Sequence, residues 1–165
     1  MHFRVALPSD APVVAAVLSA AAAKLVERGV PLWGTTEVSE AAVARHVDLG
    51  LYHLGLDAEG VVGVFRLQFH DPVFWPEITA GTSAYLHKLA VLPGKQGRGF
   101  AHALLRHAVA LTREKRLPFL RLDCVAGRPK LCAVYERFGF RHHSQKQIGN
   151  GMFERFEFDA GAPDG

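Results

Sequence analysis

Leu89-Ala90-Val91-Leu92-Pro93-Gly94-Lys95-Gln96-Gly97-Arg98-Gly99-Phe100-Ala101 is the stretch that organises this 165-residue chain. It reads as the end of an apolar strand, a glycine-rich turn and the start of a long helix. Apolar residues then recur at Leu104, Leu105, Ala108, Val109 and Leu111 with helical spacing. A helix start offers N–H groups without intrahelical acceptors and the positive end of the helix dipole, so it attracts phosphate. Gly97, Gly99 and Ala101 keep the backbone open to a pyrophosphate, and Lys95 and Arg98 add positive charge. The turn is not a dinucleotide fingerprint, because His102 stands where the third glycine is needed. It is not a P-loop either, because no Gly-Lys-Ser or Gly-Lys-Thr occurs. The alternative is a turn that serves packing alone.

Outward from this stretch, Ser83–Leu92 is a strand and Gly97–Lys115 a helix stopped by Pro118. Upstream, Phe3–Leu7 is a short strand, and Ser9 or Asp10 caps an alanine-rich helix ending near Gly29. Glu37–Val47 is a second helix with Ser39 as a candidate cap. Leu51–Leu56 and Val61–Phe69 form a hairpin around Asp57-Ala58-Glu59-Gly60. Downstream come a strand (Phe119–Val125), a helix (Pro129–Phe138) stopped by Gly139, and a hairpin of Phe140–Gln147 with Met152–Phe158. The order β-α-α-β-β-β-α-β-α-β-β predicts an α+β fold: a mixed, mostly antiparallel sheet of about seven strands flanked by about four helices. Residues 1–158 are expected to form one domain and 159–165 a disordered tail.

Composition narrows the function classes. Hydrophobic residues make up 49% and charged residues 21%, which suits a globular domain. Ala11–Val26 is the most apolar stretch, but Ser19 and Lys24 interrupt it, and it reads as a capped soluble helix rather than a bilayer span. The net charge of +3 is spread along the chain instead of clustering with aromatics, so neither nucleic acid nor membrane is expected as a partner. The N-terminus lacks the basic-then-apolar order of a signal peptide, which points to the cytoplasm. Cys124 and Cys132 have no metal spacing and read as reduced, buried thiols. No histidine group forms a ligand set, so no metal is expected.

The stretch resembles the GNAT superfamily of N-acetyltransferases, whose hallmark Q/R-x-x-G-x-G/A is matched by Gln96, Gly99 and Ala101. Leu122-Asp123-Cys124 and Tyr135-Glu136-Arg137-Phe138-Gly139-Phe140 resemble a second signature of that superfamily. The resemblance implies acetyl-CoA as cosubstrate and an amine, on a small molecule or a peptide, as acceptor. It assigns pantetheine and the acetyl carbonyl to the backbone of Leu89, Ala90 and Val91, with one of their N–H groups as oxyanion donor. Pyrophosphate falls to the amides of Gln96, Gly97, Arg98, Gly99, Phe100 and Ala101. Tyr135 becomes the donor that protonates the departing thiolate; the alternative is an aromatic core residue. Arg128 departs from the pattern, since many members carry asparagine there, and an arginine can reach a cofactor phosphate instead. Homodimers are frequent in the superfamily, and no sequence feature establishes one.

For the proton taken from the acceptor, the resemblance to serotonin N-acetyltransferase points to His87. A solvent-facing strand histidine is the alternative. Tyr85 lies on the same strand face as His87 and is expected to line the same cavity. Asp71, Glu77 and Glu37 are rival bases. Trp33 and Trp75, each in an aromatic loop, are expected to contact the acceptor. A coenzyme A-binding sensor without chemistry is the second reading. A different acyl donor, such as succinyl-coenzyme A, is the third.

Overall fold

Glycine and proline punctuate the chain into short elements, and the computed structural model describes residues 1–161 of it. Strand β1 (His2–Val5) leads through a 3-10 turn (Pro8–Asp10) into α1 (Ala11–Glu27) and α2 (Glu40–Asp48). Then follow β2 (Tyr52–Asp57), β3 (Gly60–Gln68), β4 (Ser83–Val91), α3 (Phe100–Glu114), β5 (Phe119–Val125), α4 (Pro129–Phe138), β6 (Arg141–Ile148) and β7 (Gly151–Asp159). The strands form one seven-stranded sheet in the order β1-β2-β3-β4-β5-β7-β6. β4 and β5 run parallel, with Ser83 opposite Phe119 and Leu86 opposite Leu122, and β2, β3, β6 and β7 supply antiparallel pairs. The class is α+β with a mixed sheet and four α-helices, as the element order implies.

Some boundaries differ from the sequence reading, each for a local reason. α3 begins at Phe100 rather than Gly97, because Gly97 (φ 76°) and Gly99 (φ 79°) are left-handed and cannot be helical. Asp10 stands at the start of α1 without capping it. Its carboxylate instead accepts from the Arg4 guanidinium at 2.6 and 3.0 Å and from the Leu7 N–H at 2.7 Å. Ser39 does cap α2, accepting from the Ala42 N–H, so that helix starts at Glu40. The expected tail begins inside ordered structure. Asp159 closes β7, and the buried Ala160 donates its N–H to the Pro118 carbonyl at 2.8 Å. Residues 162–165 of that tail lie outside the described residues.

The chain resolves into two compact units, Met1–Leu67 with Lys88–His107, and Gln68–His87 with the chain from Ala108 onward. In the first, α1 buries Val14, Val17, Leu18 and Ala21 against Val43 and Val47 of α2 and against Tyr52, Leu54 and Val64 of the sheet. Each buried valine or leucine among them is worth roughly 1.5–3 kcal/mol. With the preceding turn, α1 is long and apolar enough by composition to cross a bilayer, but Val14 and Leu18 are fully enclosed in this core. In the second unit Leu120, Leu122 and Phe156 are buried, and Tyr135 packs on Phe140 and Phe156 with ring centroids 6.0 Å apart.

His53 of β2 is buried in the first unit, stacked on Phe65 at 5.0 Å and edge-on to His107 at 5.8 Å. Burial first, and the His107 charge second, push it down from the ordinary 6.5 to about 4. The unfolded chain therefore takes up a proton that the folded chain refuses between those two values. The associated stability is complete above pH 6.5 and is lost as pH falls toward 4. It amounts to about 3 kcal/mol at about 1.4 kcal/mol per pH unit. Urea unfolding from pH 7.5 to 4.5 is expected to show this loss, and His53→Phe to flatten it. An equal pH dependence in that variant assigns the loss to other groups.

Candidate functional site

The glycine turn lies in the first unit. Gly94, Gly97 and Gly99 all have left-handed φ (85°, 76° and 79°), and a Cβ at any of them would meet nothing within 4 Å. Glycine is needed there for backbone shape, and the space above the turn is open. Gln96, Gly97, Arg98 and Gly99 are exposed, with Phe100 and Ala101 half-buried behind them. The Gly99 carbonyl accepts the Ala103 N–H at 3.0 Å, which makes Gly99 the residue that opens α3. The next N–H groups have no acceptor within the helix by its geometry, so an anion has donors to approach. Of the two expected cations, Arg98 stays exposed with its guanidinium 5.4 Å from the Phe100 ring. Lys95 instead turns back to the β2–β3 hairpin, pairing with Asp57 at 2.9 Å and with Glu59. Its charge braces the turn.

Immediately before this turn, β4 is distorted at Lys88, a non-glycine residue with φ 53°. Its ammonium pairs with Glu37 at 2.8 Å and lies 5.2 Å from the centre of the Trp33 ring. Glu37 also accepts the Gly34 N–H at 3.0 Å. Burial would raise the Glu37 carboxyl, but Lys88 and Gly34 outweigh it and hold it below the carboxylate range. Trp33 is half-buried against the core of this unit. Leu89 is half-buried, and Ala90 and Val91 are buried.

The second unit gathers the titratable groups. His87 Nε2 is 2.8 Å from Asp71 Oδ2, and His87 Nδ1 is 3.6 Å from Asp123 Oδ1. Asp71 is only 3% exposed, and its other oxygen accepts from the backbone N–H groups of Phe74 (3.0 Å) and Val73 (3.3 Å). Burial alone would raise the Asp71 carboxyl, yet the His87 hydrogen bond and the two N–H groups hold it below its ordinary value. With Asp71 ionised, the Nε2–H of His87 donates to it, which fixes the ring and turns Nδ1 toward Asp123. The three groups are also metal-ligand types, with candidate atoms within 4.8 Å of one another, a grouping the sequence reading did not anticipate. The 2.8 Å contact is a hydrogen bond that already uses the His87 and Asp71 atoms.

Tyr135 is 8% exposed. Burial raises its phenol strongly, and Cys124, Asp123 and Cys132 add to the effect, so the hydroxyl keeps its proton across the physiological range. Arg128 immediately precedes α4, and its carbonyl accepts the Cys132 N–H at 3.0 Å. Glu77, one of the rival bases, pairs with Arg155 at 2.6 Å.

Trp75 is buried where an exposed loop aromatic was expected, and at 2% exposed it is not open to an acceptor. Arg155 and Arg121 lie 4.5 and 5.0 Å from its ring centre, and Tyr85 packs at 6.4 Å. The guanidiniums are buried because each is neutralised, Arg121 by Glu157 at 2.9 Å and Arg155 by Glu77. Arg155 also donates to the Phe74 carbonyl at 2.9 Å, pinning the loop that carries Asp71. Tyr85 is itself buried, so its phenol lines a packed interior. Asp123 was legible only as part of Leu122-Asp123-Cys124. Its signal was a carboxylate between two apolar residues of a strand.

Comparison with known proteins agrees with the architecture. The model of the acetyltransferase (GNAT) family matches residues 23–140. The uncharacterized N-acetyltransferase YesJ of Bacillus subtilis (strain 168) is 31% identical over 85 residues, 52% of this chain and 47% of that protein. The chain thus aligns with about half the length of that curated relative. A GNAT-family acetyltransferase from Listeria monocytogenes 4b F2365 superposes with a TM-score of 0.79 at 22% identity, covering 96% of this chain and 94% of the other. The ribosomal-protein-alanine N-acetyltransferase of Brucella melitensis gives 0.73 at 18% identity, covering 96% and 99%. Protein yncA of Salmonella typhimurium, solved with acetyl-CoA, gives 0.72 at 13% identity, covering 99% and 98%. At these identities the solved structures speak for the fold, and the family match carries the assignment: this chain belongs to the acetyltransferase (GNAT) family.

Proposed function

We propose that this chain transfers the acetyl group of acetyl-CoA to an amine by direct attack in a ternary complex. The observation that carries the reading is the open turn of three left-handed glycines leading into α3, whose shape suits a pyrophosphate. The acetyl-CoA bound to the Salmonella typhimurium neighbour supports the same donor here. The amides of Gln96, Gly97, Arg98, Gly99, Phe100 and Ala101 would hold the phosphates, with Arg98, and Arg128 before α4, as further cationic contacts. The backbone of Leu89, Ala90 and Val91 would bind pantetheine and the carbonyl oxygen. Acetyl-CoA supplies the activated acyl group; what remains for the protein is orientation and two proton transfers.

His87 would receive the acceptor's proton at Nδ1, with Asp71 fixing the ring from the other side and Asp123 stabilising the charge that develops. Tyr135 would donate to the departing thiolate. An acceptor amine, on a small molecule or a peptide terminus, fits the N-acetyltransferase relatives, and Trp33 remains a candidate contact for it. The free thiols of Cys124 and Cys132 suit a cytoplasmic setting.

Calorimetry with acetyl-CoA tests the central claim. Binding in the micromolar range, about −8 kcal/mol, is expected, and undetectable binding would overturn it. Tyr135→Phe keeps the buried ring and is expected to lower turnover by about 10²-fold with acetyl-CoA affinity nearly unchanged; full turnover removes Tyr135 from the chemistry. Asp71→Asn keeps the side-chain shape but not the charge that orders His87. It is expected to lower kcat by about 10²-fold while KM for acetyl-CoA holds. An unaltered kcat reduces the pair to a loop anchor.

A further inference from the structure

Cys124 and Cys132 are eight residues apart in sequence, and their Sγ atoms lie 3.7 Å apart in the fold. Cys124 is buried on β5, whereas Cys132 is half-buried in the first turn of α4. Both are free thiols. A disulfide needs the sulfurs to close to about 2 Å, a movement shared by two side chains and a helix start. The connection between the elements contains Gly127, exposed and left-handed at φ 80°, with nothing within 4 Å of a Cβ position. Tyr135 stands one turn beyond Cys132 on α4, on the same helix face.

We propose that Cys124 and Cys132 form a reversible oxidation site, closed to an intramolecular disulfide by low-molecular-weight disulfides. Cys132 is the sulfur such a reagent meets first. Its thiolate attacks one sulfur of the reagent, forms a mixed disulfide and releases one small thiol. Cys124 then loses its proton to solvent and attacks the Cys132 sulfur, releasing the second small thiol. The two protein thiols are oxidised by two electrons, and one small disulfide is reduced to two thiols. Burial pushes the Cys124 thiol up, so it holds its proton and does not lead the attack; the second step rests on the 3.7 Å between the sulfurs. The link ties the first turn of the helix that carries Tyr135 to β5. The site rests on the geometry of β5 and α4 alone and stands whether or not Tyr135 donates a proton.

The test is equilibration of the intact protein in glutathione redox buffers, followed by acid quench, alkylation and non-reducing peptide mapping. The expected product is a Cys124–Cys132 linked peptide within one chain, lost on adding dithiothreitol. Its equilibrium constant should be at least about tenfold larger in the folded chain than in the urea-unfolded chain, since folding holds the thiols together. In Cys132→Ser, the folded chain should leave Cys124 unmodified. A constant no larger than in urea, a link between two chains, a persistent glutathione adduct on Cys132, or ready modification of Cys124 in Cys132→Ser would each overturn the site.

Discussion

A missing methyl group governs the first unit. A Cβ at Gly63 of β3 would lie 2.7 Å from the Ala90 carbonyl, 2.8 Å from the Leu104 side chain and 3.4 Å from the Val91 Cα. Two of those atoms belong to the β4 backbone, which cannot move aside as a flexible side chain can. Only glycine lets the strands approach so closely while the first turns of α3 press onto the same point. The Leu92 N–H then donates to the Val62 carbonyl at 2.9 Å, fixing where β4 ends. From that fixed end the chain must reverse within a few residues, and Gly94, Gly97 and Gly99 supply the left-handed steps. The Lys95 pairs with Asp57 and Glu59 hold the reversal against the hairpin that contains Gly63. The shape of the turn thus follows from close packing on the neighbouring strand.

The second unit obeys a different constraint, the burial of charge. Arg121, Arg155 and Asp71 are all enclosed, and each would be costly there without partners. Their partners are shared in a chain of contacts. Glu157 holds Arg121, Glu77 holds Arg155, Arg155 holds the Phe74 carbonyl, and the Phe74 N–H holds Asp71. Asp71 in turn orders His87. Trp75 fills the space between the guanidiniums, so an indole that looks like a docking aromatic is the apolar part of an electrostatic scaffold.

This contrast explains what the sequence made legible. Local signals carried the elements: Ser39 capped its helix, Gly139 (φ 118°) ended α4 where expected, and the glycine turn opened a helix. Those outcomes depend on neighbours a few residues away. The errors involve partners distant in sequence. Trp75 reads as exposed until Arg121 and Arg155 are seen to be inward-facing, and strand alternation hides this because β5 is buried on both faces at Leu120, Arg121 and Leu122. Lys95 reads as a phosphate ligand until Asp57, 38 residues earlier, takes its charge. Asp71 could be suspected as a base from its type, but its bond to His87 spans 16 residues and no spacing rule announces it.

The same burial that hid these partners also separates two protonation states. Asp71 and Tyr135 are both enclosed, and burial pushes both upward. Asp71 is pulled back below its ordinary value because donors converge on it, whereas Tyr135 is raised further because the neighbouring Asp123 and two thiols can only be neutral or negative. One group is thereby kept ionised and the other protonated in a single unit, without any change in the intrinsic chemistry of either. Asp123 bears on both ends of this arrangement, since it faces His87 Nδ1 and also helps keep the proton on Tyr135. Neutralising it would remove one of the charges that hold the proton on Tyr135, while the Asp71 bond to His87 would stay in place.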